Sequence, residues 1–175
     1  MSDVVATSAS GTSQPAGPGL PAEVWTVRRA VLADAPAVAA AVRELLRELG
    51  GTPSAPPAME AAAGKLIVSP WAGAVFLAEA GEELVGVLAA SWQMAIHVPG
   101  SYALIQDLWV GESWRSRSVG AGLLAALLEL ARAKRFERVE VGLPRESFAG
   151  FASTESFYLG NGFVANGPRM RRVLS

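Results

Sequence analysis

The chain has 175 residues (18.2 kDa), 51% of them hydrophobic and 18% charged, with no cysteine and a single histidine, His97. The missing cysteines exclude disulfides, thiolate metal sites and a cysteine nucleophile, and one imidazole cannot build a histidine-rich metal cluster. A net charge of −1 argues against a broad nucleic-acid footprint, and no apolar run approaches the ~20 residues that span a bilayer.

One domain is expected at this length, with roughly 70% of the unfolded chain's surface buried on folding. Residues 1–22 are rich in Ser, Gly, Pro and Ala without periodicity, and they read as a disordered tail ahead of a domain over 23–175. No apolar signal segment follows Asp3, so a soluble, cytoplasmic protein is expected.

Residues 24–30 alternate as a strand. A helix follows, with Asp34 as N-cap and Pro36 in the first turn. Val38, Val42, Leu45 and Leu49 form its apolar stripe, and Gly50-Gly51 stop it. Residues 52–57 read as loop and 59–68 as a short helix. Residues 74–80 and 84–94, separated by Gly81-Glu82-Glu83, read as an antiparallel hairpin. After a break at Pro99-Gly100 comes a strand over 102–110, then a polar segment over 111–119.

A strong amphipathic helix spans 120–135, carried by Leu123, Leu124, Leu127, Leu128 and Leu130. Residues 139–143 form another strand and 155–161 a helix end. One or two closing strands are expected over 163–174. The class is α/β, a mixed sheet with helices on its faces.

The chemistry concentrates where the 102–110 strand passes through WRSRSVGAG into a helix. Helix N-termini offer unpaired N–H groups and partial positive charge to phosphates. Gly120 and Gly122 remove side chains there, while Arg115 and Arg117 add charge. An ordinary tight strand-to-helix turn explains the glycines equally well. No Walker loop is present. A dinucleotide fingerprint fits Gly120, Gly122 and Ala125, with Glu140 twenty residues after Gly120. Its context is wrong, since nine residues separate Val110 from Gly120 and little chain remains for further βαβ units.

The stretch LWVGESWRSRSVGAGLL resembles the acyl-CoA motif of the GNAT superfamily of N-acetyltransferases, a strand and turn leading to Gln/Arg-x-x-Gly-x-Gly/Ala. ESFYLGNGF looks like that family's closing F-Y-x-x-x-G-F, and VRRAVLADAPAVAAAV resembles its opening strand and helix. The resemblance covers about residues 25–174. Two frames fit the glycine motif. The preferred one starts at Arg115 and closes at Gly120, which sets Leu123-Leu124 where the family carries leucines. Ser118 then departs from a glycine at a left-handed or crowded turn position. The alternative runs from Arg117 to Gly122.

The resemblance implies a mostly antiparallel mixed sheet with two splayed parallel strands, at 102–110 and 139–143. It implies acetyl-CoA as cosubstrate, no metal, and a small-molecule or peptide amine as acceptor. Leu108, Trp109 and Val110 would meet the pantetheine arm, a backbone N–H stabilising the developing oxyanion. Arg115, Ser116, Arg117, Ser118, Val119, Gly120, Ala121 and Gly122 would hold the pyrophosphate. Tyr158 is the candidate acid for the departing thiolate. Glu140, Asp107 or a water chain would take the amine's proton. Phe151 stands where relatives often carry Asn, the longer connection RESFAGFAST would form part of the acceptor pocket instead, and Thr154 and Glu155 are candidates for acceptor contacts or helix capping. A homodimer is an expectation from resemblance alone. A domain that binds acyl-CoA without catalysis remains the alternative function.

Overall fold

The alternating middle of the chain pairs as consecutive antiparallel strands in the computed structural model, which describes residues 24–167 and Arg172. β1 (Thr26–Arg29), β2 (Gly73–Ala80), β3 (Glu83–Ala95) and β4 (Val98–Val110) lie side by side in that order. β5 (Val139–Val141) joins β4 in parallel. This is the mixed, mostly antiparallel sheet that the sequence predicts.

Helices α1 (Ala35–Glu48) and α2 (Pro56–Ile67) lie on one face. There Val38 and Ala41 bury against Val75, Leu77, Val87 and Ala89. On the other face, α3 (Val119–Ala133) and α4 (Phe151–Gly160) pack against Phe76, Leu88, Ala103 and Ile105. Leu123, Leu124 and Leu127 of α3 are fully buried, each contributing on the order of 2 kcal/mol. Arg28 ties β1 to both β2 and the start of α1, forking onto Asp34 (2.7 and 2.9 Å) and onto Glu79 (2.7 Å twice). Hydrogen bonds from Arg28 hold the Asp34 carboxyl below the usual carboxylate range.

Several boundaries differ from expectation for identifiable reasons. Asp34 occupies the position before α1 but makes no side-chain cap. Its carboxylate accepts the Val31 N–H at 2.7 Å instead, closing a short 3-10 turn over Leu32–Asp34. Pro56 and Pro57 belong to α2, because proline suits a first turn whose N–H groups lack acceptors anyway. Pro99-Gly100 does not break the chain before β4. Ala95 pairs with Val98 and Met94 with Ser101, so the two residues are taken up as an irregularity, with Gly100 at φ +126°. α4 begins at Phe151 rather than Glu155, which places Thr154 inside the helix. Residues 163–167 form no strand; the rest of the expected closing strands and the 1–22 tail lie outside the described residues.

A bulge in β4 positions the site. Ile105 faces Ala90 and Asp107 faces Ala89, so Gln106 has no partner on β3. The extra residue shifts the alternation. Ala103 and Ile105 point to α3, and after the bulge so do Leu108 and Val110. Pairing with β5 ends at the same level, with Ile105 opposite Val141. Beyond it the two parallel strands part.

Candidate active site

A cavity of about 710 Å³ opens where β4 and β5 separate. Its walls come from Leu108, Trp109 and Val110, from Val141 to Pro144, from the turn before α3 and from α4. The end of α1 closes one side with Leu45, Glu48 and Leu49.

The turn between β4 and α3 is tightly restrained. Trp114 is buried and donates its Nε1–H to Glu83 at 3.2 Å. Arg115 donates through Nε to the Val110 carbonyl (3.1 Å) and through Nη2 to both oxygens of Glu48 (2.7 Å each). The Arg117 guanidinium lies over the Trp114 ring, 5.2 Å from its centroid. Ser116 and Ser118 are both left-handed, at φ +60° and +63°. Ser118 is thus a serine holding a conformation that favours glycine. It is the residue before α3, and its hydroxyl caps nothing. Among the described residues no N-cap side chain takes up the first-turn amides, at a helix end that favours anions.

Of the turn's expected ligand-binding residues, Arg115, Ser116, Ser118, Val119, Gly120 and Ala121 line the cavity; Arg117 and Gly122 do not. A Cβ on Gly120 would make ordinary contacts, 3.4 Å from Phe157 and 3.6 Å from Val110. Gly122 serves a different neighbour. A Cβ on it would stand 2.4 Å from a ring carbon of Trp25, whose Nε1–H donates to the Arg117 carbonyl at 3.2 Å.

Tyr158 reaches the cavity wall from α4, buried edge-on between Phe157 (5.1 Å) and Phe163 (5.3 Å). Burial pushes its phenol up to about 12. The two candidate acids sit on the opposite face of the sheet, the one that α1 and α2 cover, and neither lines the cavity. Desolvation raises the Asp107 carboxyl above its ordinary range. Glu140, opposite Leu104, pairs with Arg138 at 2.7 Å. His97 is exposed in the β3–β4 turn, its Nε2 3.2 Å from Arg138 Nη2.

Sequence reasoning missed Glu48 and Asn161, which also line the cavity; Phe148 and Ser153, from the RESFAGFAST stretch expected at the acceptor pocket, line it too. No spacing marks Glu48, because α1 reaches the site only through the tertiary fold. Thr154 lines the cavity and Glu155 does not, while Phe151 opens α4. Trp109 is a wall residue whose Nε1–H is buried without a partner among the described residues. No group of side chains among the described residues could hold a metal ion, and none of the described helices is long and apolar enough to cross a membrane.

No curated protein matches the chain. Among solved structures, it superposes on a "possible acetyltransferase" from Clostridium difficile 630 with a TM-score of 0.72 at 14% identity, covering 87% of this chain and 99% of that one. An aminoglycoside acetyltransferase from an uncultured soil metagenomic sample gives 0.68 at 18% identity, with 86% and 95% covered. A ribosomal-protein-alanine N-acetyltransferase from Brucella melitensis biovar Abortus 2308 gives 0.68 at 14% identity, with 87% and 100% covered. These likenesses establish the fold. A family model described as acetyltransferase (GNAT) family matches residues 39–155, and the chain belongs to that family.

Proposed function

We propose that this acetyltransferase moves an acetyl or other short acyl group from acyl-CoA to a primary amine by direct attack of the amine on the thioester. The observation that carries the reading is the parting of β4 and β5 beyond Ile105 and Val141, with the start of α3 and Tyr158 both on the gap. Past that point no strand among the described residues pairs with the β4 backbone groups that point away from β3, which suits a pantetheine arm at Leu108 to Val110, the Val110 carbonyl being taken by Arg115. The turn fits a pyrophosphate on two counts: uncapped first-turn amides and Arg115 on the cavity wall. A cytoplasmic location goes with this reading.

The acceptor ammonium must lose a proton before it can attack, to Asp107, Glu140 or a water chain. The N–C bond then forms as the C–S bond breaks, and the thiolate leaving takes the proton of Tyr158. A phenol pushed up to about 12 is fully protonated at neutral pH, as this role requires. The dinucleotide alternative fails on placement, because Glu140 points away from the face that carries α3.

The test is thiol release from acetyl-CoA across a panel of amines that includes an aminoglycoside and an alanine-terminated peptide. The wild type is expected to release thiol with at least one of them. Tyr158→Phe should lower turnover about a hundredfold while CoA binding by calorimetry persists. Binding without release across the panel would favour a non-catalytic acyl-CoA-binding domain, a reading that draws on Asp107 and Glu140 not lining the cavity. Absence of CoA binding would overturn both.

A further inference from the structure

Arg117 sits between two left-handed serines, a conformation that L residues hold only when their surroundings impose it. The restraints are visible. Trp114 lies under the Arg117 guanidinium, the Gly122 N–H bonds the Ser118 carbonyl at 2.9 Å, and Trp25 donates to the Arg117 carbonyl at 3.2 Å. The last comes from the far end of the chain, 92 positions away and just before β1.

The Trp25 indole reaches Arg117 only because α3 has a notch. At Gly122 a Cβ would stand 2.4 Å from Cη2 and 2.6 Å from Cζ3 of the ring, closer than real atoms approach. Gly122 therefore contributes the absence of a side chain to Trp25 and none of the cavity wall. The rest of the ring packs against the α3-side core. One side chain thus joins three things: the core, the first turn of α3 and the middle peptide of the 115–120 turn.

We propose that Trp25 is a positioning residue for the acyl-CoA site: seated in the Gly122 notch, it holds the Arg117 carbonyl and so keeps the 115–120 turn in its phosphate-receiving shape. The proposal rests on the acyl-CoA reading above. Tryptophan is specifically required, since phenylalanine fills much of the notch but has no N–H to donate. The two left-handed residues would otherwise relax, and the Ser118–Ala121 amides would lose their common direction.

Two variants test it, both read by amide exchange and Trp25→Phe also by CoA affinity and kinetics. Trp25→Phe deletes the donor and keeps a ring; Gly122→Ala keeps the donor and expels the ring. In the ligand-free protein, amide exchange over residues 116–120 should quicken about fivefold in Trp25→Phe and more in Gly122→Ala, with the α3 interior unchanged. The CoA dissociation constant and the acyl-CoA KM should rise about fivefold in Trp25→Phe, with kcat and the amine KM unchanged. A purely structural role would move kcat and both KM values together, and that result would overturn the proposal. So would unchanged exchange in both variants, or faster exchange with unchanged CoA affinity. If the wild type bound no CoA, the acyl-CoA reading would fall and the positioning role with it, whereas failure confined to the variants would leave that reading standing.

Discussion

Arg115 and Glu48 form a two-oxygen ion pair, with Nη2 2.7 Å from each carboxylate oxygen, that joins the turn before α3 to the last residue of α1. Both side chains line the cavity and both are substantially exposed. A phosphate in the cavity would meet a guanidinium already partnered by one anion and a carboxylate that repels it. Glu48→Gln removes the repulsion and frees the cation for the ligand. We expect CoA to bind about threefold more tightly at low salt, with the gain shrinking as salt screens the charges. The apparent stability should change by less than about 1 kcal/mol, as for exposed pairs generally. Calorimetry at two salt concentrations decides; weaker binding would mean that Glu48 holds Arg115 in its working position.

The left-handed Ser118 carries a conformational penalty that glycine would not. An L residue in this region costs roughly 1–2 kcal/mol, partly offset because glycine loses more entropy on folding. Ser118→Gly should therefore stabilise the protein by roughly 0.5–1 kcal/mol, raising Tm by about 2 °C. Ser118→Val should do the reverse, since a β-branched residue fits this region worst. A fall in Tm for the glycine variant would show that the serine hydroxyl contributes more than the backbone costs.

The element order was legible because period and punctuation agree: alternation in the hairpin, leucine spacing in α3, glycine after α4. The turn motif and F-Y-x-x-x-G-F together pointed to Tyr158, which does reach the cavity wall. Nothing in IQDLWV marks the bulge at Gln106. Simple alternation holds on either side of it and fails across it, so Ile105 and Leu108 share a face that counting would separate. Gly122 shows a second limit. Its sequence context suggests a ligand, yet what fills its space is Trp25, a residue no local pattern connects to it. The Glu48 contact with Arg115, 67 positions apart, is hidden for the same reason.

Tyr158 gives a prediction in pH. An ordinary tyrosine acid would begin to deprotonate near 10, and turnover would fall there; burial moves this one up to about 12. Turnover measured with saturating amine should show no alkaline decline from this group up to about pH 11. Tyr158→Phe should lower the plateau without creating or shifting a limb. A decline centred near 10 that disappears in the variant would mean that the phenol is solvated in the working enzyme.

Asp107 offers a stability prediction of opposite sign to the usual carboxylate. Because burial raises its pKa in the folded state, the native chain keeps a proton at pH values where the unfolded chain has released it. The protonated carboxyl is tolerated in its half-buried site, so the protein is most stable below the unfolded value. It loses stability as pH rises through the folded value, then levels off. Asp107→Asn removes the charge and with it that loss. The variant should melt above the wild type at pH 7 to 8 and at the same temperature near pH 3, where both side chains are neutral. Equal melting at neutral pH would mean that the carboxylate finds compensation in the folded state. Turnover of the same variant then separates the candidate bases: a more stable protein with turnover lowered a hundredfold or more makes Asp107 the proton acceptor, while a more stable protein with full turnover leaves Glu140 or water in that role.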